Sequence, residues 1–175
     1  MTTTVRMLSG DDGGLVERLA DLINGVYATA ERGLWREGMA RTTADELATL
    51  IPSREIAVAT REGRIVGSVC VRDVSGELSE FGMLAAVSDE RGTGVGNALL
   101  DFIERASRDR GMRAMQLELL VPRGWSHPGK EFLRGWYGRR GYRLVRTGPL
   151  GDAYPHLAPR LATPCNLEIH RKPLS

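Results

Sequence analysis

The run from Glu80 to Val121, EFGMLAAVSDERGTGVGNALLDFIERASRDRGMRAMQLELLV, constrains the fold more than any other part of the chain. It reads as an apolar strand, a glycine-rich turn opening with Arg91, an amphipathic helix and a second apolar strand. Val95, Ala98, Leu99, Phe102, Ile103 and Ala106 recur at offsets of three and four, which gives the helix one buried face. A strand, helix and strand in that order predict a parallel pair joined by a right-handed crossover. The turn itself, Arg91-Gly92-Thr93-Gly94-Val95-Gly96, carries the chemistry. Its glycines allow positive φ and remove Cβ atoms, so several amides can converge on one anion. Orphan N–H groups of the helix start, through Asn97, point at the same spot, and Arg91 adds a full positive charge. A phosphate or pyrophosphate suits this combination.

On either side of that run the pattern continues with short elements. A strand is predicted around Thr3 to Leu8, then a helix capped by Asp11 or Asp12, with Leu15, Val16, Leu19, Leu22, Ile23 and Val26 on one face and an end near Gly33. Thr43 and Glu46 form a capping box for a second helix that stops at Pro52. Strands Glu55 to Thr60, Arg64 to Arg72 and Glu77 to Val87 follow as an antiparallel meander, turning at Glu62-Gly63 and Ser75-Gly76. Their weak alternation predicts a sheet with helices on both faces. Beyond the strand Ala114 to Val121, a helix carries Phe132, Leu133, Trp136 and Tyr137 and stops at Gly141, and strands Tyr142 to Arg146 and Asn166 to Arg171 finish the sheet. The linker between those strands holds four of the eight prolines and reads as a loop over one sheet edge.

The chain's 175 residues make one domain, 1–175, with an ordinary core. With 24 basic against 22 acidic side chains there is no bulk charge to attract nucleic acid. The basic residues from Arg134 to Arg146 read as a solvated helix face. Cys70 and Cys165 lie far apart without metal-ligand spacing, which fits small core residues in a reducing compartment and no metal. No apolar run is long enough for a membrane span and the N-terminus lacks a signal-peptide layout, so the expected location is cytoplasmic.

Two familiar phosphate-binding patterns do not fit. A dinucleotide fingerprint wants G-x-G-x-x-G after the first strand of a βαβ unit, and a P-loop wants Gly-Lys-Ser/Thr; neither occurs. The segment instead resembles the acyl-CoA-binding motif of the GNAT superfamily of N-acetyltransferases, R/Q-x-x-G-x-G/A, with Arg91, Gly94 and Gly96 on its defining positions. Trp136-Tyr137-Gly138-Arg139-Arg140-Gly141-Tyr142 is similar to that family's aromatic element at the end of the last helix, and the predicted element order matches over nearly the whole chain.

The resemblance implies an α/β fold with a mixed, mostly antiparallel sheet of about seven strands and about four helices. It implies acetyl-CoA as cosubstrate, held by the cradle of Arg91, Gly92, Thr93, Gly94, Val95, Gly96 and Asn97, with backbone groups of Leu84, Ala85 and Ala86 pairing with the pantetheine arm. Tyr137 matches the family's tyrosine that faces the sulfur and serves as the acid. The base is open between Glu80 and Glu118, each a carboxylate interrupting an apolar strand, with His127 as a third choice. Where many members carry an Asn that touches the coenzyme, this chain has Lys130, which is expected to reach a phosphate. The implied reaction is direct acetyl transfer to a primary amine, small or peptidic, with Trp35, Glu37, Trp125 and His127 on the acceptor side. A module that binds acyl-CoA without turnover is the alternative, and pairing of two copies stays open.

Overall fold

The computed structural model describes residues 2–90 and 92–175, so Met1 and Arg91 lie outside the described residues. One sheet of seven strands runs in the order β1-β2-β3-β4-β5-β7-β6. Its strands are β1 (Thr4–Met7), β2 (Ile56–Arg61), β3 (Arg64–Asp73), β4 (Leu78–Ala86), β5 (Ala114–Pro122), β6 (Arg143–Pro149) and β7 (Cys165–Pro173). Every neighbouring pair is antiparallel except β4 and β5, as the crossover helix requires. The helices are α1 (Val16–Ala30), α2 (Ala44–Leu50), α3 (Val95–Asp109), α4 (Pro128–Arg139) and a single turn, α5 (Leu150–Ala153). This is the mixed α/β architecture that the sequence predicts.

Local chemistry sets most boundaries. Thr43 caps α2 by accepting the Glu46 N–H at 3.1 Å, and Gly141 ends the α4 turn with φ +102°. The first helix starts differently. Ser9 is the cap of a 3-10 turn over Gly10–Leu15, and Asp12, instead of capping, accepts the Ser9 N–H at 2.9 Å. Gly13 and Gly14 disfavour an α-helix there, so regular winding waits until Val16.

Two apolar layers clothe the sheet. Val95, Leu99, Leu100 and Ile103 of α3 pack with Val66, Val71, Phe81, Leu117 and Tyr137 on one face. Leu19 and Ile23 of α1 and Leu47 of α2 pack with Ile56, Val58 and Met83 on the other. The proline-rich linker does not lie on an edge. Leu150 and Cys165 pack with Leu34 and Leu120, and Trp35 bridges to Leu161, so the strap crosses the face of β5 and β7. Its leucines need apolar cover that the edge strand β6, almost wholly exposed, cannot supply. Among the described residues no helix is long and apolar enough to cross a membrane.

The feature that matters for the site is a break in β4. Ser68 faces Ala85 and Cys70 faces Gly82, so Met83 and Leu84 together oppose Val69. Met83 takes φ +50° while its side chain is buried, a conformation only surrounding packing can hold. α3 reaches this region because β3 has Gly67 beneath it: a Cβ there would stand 2.8 Å from the Ala85 carbonyl oxygen and 2.8 Å from Val95 Cγ1. Gly67→Ala is expected to lower stability by about 1–3 kcal/mol through that overpacking, read as a shifted urea midpoint with an unchanged m-value.

Candidate active site

β4 and β5 pair in parallel only from Leu78↔Ala114 to Phe81↔Leu117. Past that point β4 runs through its bulge from Gly82 to Ala86, while β5 continues from Glu118 to Pro122 paired only to β7. A wedge therefore opens in the middle of the sheet, and its two walls are strand edges with backbone groups to offer. Leu84, Ala85 and Ala86 lie on the β4 wall. Tyr137 sits near the apex, its ring 5.9 Å from Phe81 and 5.1 Å from Trp136. The phenol is buried and its hydroxyl has no hydrogen-bond partner among the described residues. Burial pushes its pKa well above the ordinary tyrosine range, with Tyr27 adding to the effect, so it holds its proton at neutral pH.

The glycine turn lies at the open end of β4. Gly92 and Gly94 take φ +78° and +88°, and a Cβ at either would meet nothing within 4 Å. Among the described residues, the amides of Gly92, Gly94, Val95, Gly96 and Asn97 have no acceptor, and Gly94 caps α3 without a side chain. Thr93 is different: its N–H and hydroxyl both go to the Glu90 carbonyl. Glu90 in turn is buried and holds Arg61 at 2.7 Å and Arg64 at 3.0 Å, which fastens the turn to the β2–β3 hairpin. Gly96 has a packing reason beyond ligand access, since a Cβ there would stand 3.2 Å from Trp136 Cη2. The Asn97 side chain accepts from Arg140 at 2.9 Å, leaving only its backbone facing the turn. The Arg91 assignment lies outside the described residues.

Lys130 corrects an expectation. Its ammonium is buried 2.6 Å from the Glu31 carboxylate, and Glu31 also accepts the Trp35 indole N–H at 2.9 Å. An ammonium paired in that way has no charge to spare for a phosphate. His127 caps α4 by accepting the Lys130 N–H and stacks against Trp125 at 5.7 Å, and Trp35 is packed under the strap. Among the basic residues read as a solvated face, Arg134 and Arg140 are ion-paired to Glu168 and to Asp101 and Glu104.

Glu80 and Glu118 share the α1 face of the sheet, because Leu117 and Phe81 face α3. Glu80 sits before the parting and is engaged, accepting from Gln116 at 2.7 Å and lying 3.4 Å from Arg72. Glu118 is the first β5 residue past the last parallel pair. Burial raises its carboxyl above the usual range and nearby Glu80 adds to this, while a hydrogen bond from the Tyr154 hydroxyl pulls the other way. Tyr154 stands on the strap and is pushed above the ordinary tyrosine value by burial and by Glu118. Sequence reasoning missed it; the one hint was a lone tyrosine in a proline-rich linker. A cavity of about 220 Å³ beside Glu118 is lined by Arg146, Asp152, Leu167 and Ile169.

A family model for the acetyltransferase (GNAT) domain matches residues 52–144, more than half of the chain. The chain belongs to the GNAT acetyltransferase family. Solved GNAT structures share the fold at low identity. The PaiA N-acetyltransferase of Thermoplasma acidophilum, solved with coenzyme A, has a TM-score of 0.73 at 16% identity, covering 99% of both chains. An aminoglycoside 6'-N-acetyltransferase, also with coenzyme A, has a TM-score of 0.72 at 18% identity, covering 98% of this chain and 97% of that one. The N-acetylglutamate synthase of Neisseria gonorrhoeae, solved with coenzyme A and N-acetyl-glutamate, has a TM-score of 0.68 at 17% identity; this chain matches over its full length but spans only 36% of that one.

Removing the Tyr154 hydroxyl tests the electrostatics of this GNAT cleft. The hydrogen bond favours the charged carboxylate, so Tyr154→Phe is expected to raise the Glu118 pKa further, followed by carboxyl-carbon NMR titration. A downward shift would contradict the geometry.

Proposed function

We propose that this GNAT protein moves an acetyl group from acetyl-CoA to a primary amine by direct attack within a ternary complex. The observation that carries the reading is the wedge between β4 and β5, with unpaired amides at its mouth, a protonated Tyr137 near its apex and a carboxylate of raised pKa on its wall. The residues present fit the cosubstrate. The amides of Gly92 and Gly94 to Asn97 suit a diphosphate, and the β4 edge from Leu84 to Ala86 suits an amide-bearing arm added as a strand. The coenzyme A complexes of the neighbouring structures support the same ligand.

When bound, acetyl-CoA supplies an activated acyl carbon. Glu118 takes the proton that the amine gives up as its nitrogen bonds to that carbon. Backbone amides of β4 stabilise the carbonyl oxygen as it becomes negative. Tyr137 donates a proton to the sulfur as the carbon–sulfur bond breaks, and the products are an amide and a free thiol. Glu80 tunes Glu118 through its charge, while its own carboxylate stays with Gln116 and Arg72. Burial pushes both thiols, Cys70 and Cys165, up to about 11, so neither is a ready thiolate, and transfer through an acyl-cysteine is disfavoured.

The competing reading, a module that binds acyl-CoA without turnover, gives no reason for a free phenol and a tuned carboxylate to meet in one opening. An amine-acceptor screen with acetyl-CoA, followed by thiol release, separates the two. Tyr137→Phe is expected to lower kcat about 100-fold while calorimetry still records acetyl-CoA association. Unchanged turnover in that variant removes Tyr137 as the acid.

A further inference from the structure

The loop before α2 brings a cation to the parting of β4 and β5, where no carboxylate among the described residues pairs with it. Asn24 of α1 grips Thr42 twice, donating to its carbonyl and accepting its N–H, each at 3.0 Å. That grip fixes the neighbouring Arg41. The Arg41 guanidinium lies over the Tyr27 ring, 5.3 Å from its centroid, and Nη2 stands 3.8 Å from where a Cβ on Gly82 would be. Gly82 is the first β4 residue past the last parallel pair. Arg41 is exposed, has no ion pair among the described residues, engages the Tyr27 side chain, and its charge acts on both Glu118 and Tyr27.

The other charges of this face are mostly committed. Glu80 is shared by Arg72 and Gln116, Gln116 also accepts from Arg171 at 2.9 Å, and Glu118 is held by Tyr154. Arg146 and Asp152 line one cavity together. Among the described residues Arg41 and Arg146 are the cations near Glu118 without a paired carboxylate, and of the two Arg41 stands beside Gly82 at the parting. A polyamine entering there would meet like charge, whereas a guanidinium presents paired N–H groups that match a carboxylate. The same charge also favours the neutral, nucleophilic form of an amine placed beside it.

We propose that the acceptor is an amine bearing its own carboxylate, of the amino-acid class, and that Arg41, braced on Tyr27, anchors that carboxylate while the amine faces Glu118. This rests on the acetyl-transfer reading of the same cleft. The test measures thiol release from acetyl-CoA with free amino acids, the matching amino-acid carboxamides and spermidine, compared at equal concentrations of neutral amine. The carboxylate forms are expected to have kcat/KM about tenfold or more above their carboxamides, with spermidine the poorest. Arg41→Met should bring the carboxylate and carboxamide forms level, and Arg41→Lys should keep part of the difference. Spermidine as the best acceptor, or a ratio that survives Arg41→Met, would overturn the anchor. Calorimetry with acetyl-CoA separates the two readings: no association overturns both, whereas association with equal use of both amine forms overturns the anchor alone.

Discussion

The parting of β4 from β5 is the constraint on which the rest depends. Strands in a sheet interior ordinarily satisfy both edges, and leaving two facing edges open carries the cost of unpaired backbone groups. Here the bulge at Met83 and Leu84 turns β4 away after four parallel pairs, from Leu78↔Ala114 to Phe81↔Leu117. The positive φ of Met83 is held by its burial between α1 and the sheet. Close docking of α3 over Gly67 braces the other face. The opening is thus braced by packing on both sides.

Around that opening the groups divide by face. On the α3 side stand the glycine turn, Tyr137 and the aromatic cluster of Phe81, Trp136 and Tyr142, apolar surroundings that keep a phenol protonated. On the α1 side stand Glu80, Glu118, Arg41, Arg72 and Tyr154, a polar set where charges are tuned by one another. The proposed direct transfer would use this division, with the acid meeting a departing sulfur from one side and the base an amine from the other.

Much of this was legible in the sequence, and the reasons differ by element. Helical periodicity from Val95 to Ala106 and the turn glycines located α3 and the turn before it, because both are local signals written in consecutive residues. Thr43 with Glu46 fixed a helix start for the same reason. Side-chain roles set by distant partners were harder to read. Lys130 was expected at a phosphate, but its fate is decided by Glu31, 99 residues earlier in the chain. The strap was expected at an edge, yet Leu34 and Leu120 draw it across the sheet face. Tyr154 and Arg41 left almost no local trace, since their importance lies in meeting Glu118 and Gly82 through the fold. The choice between the two carboxylates was open for a related reason: both interrupt apolar strands, and only the register shows that one lies before the parting and the other after it.

The proline content of the strap has a kinetic and entropic side. Pro149, Pro155, Pro159 and Pro164 restrict the backbone before folding as well as after it, so the unfolded ensemble surrenders less freedom when this segment settles over Leu120 and Leu167. Tyr154, immediately before Pro155, is held in an extended range by that ring even in the denatured chain. The roof above Glu118, tied to it through Tyr154, is therefore stiff by composition.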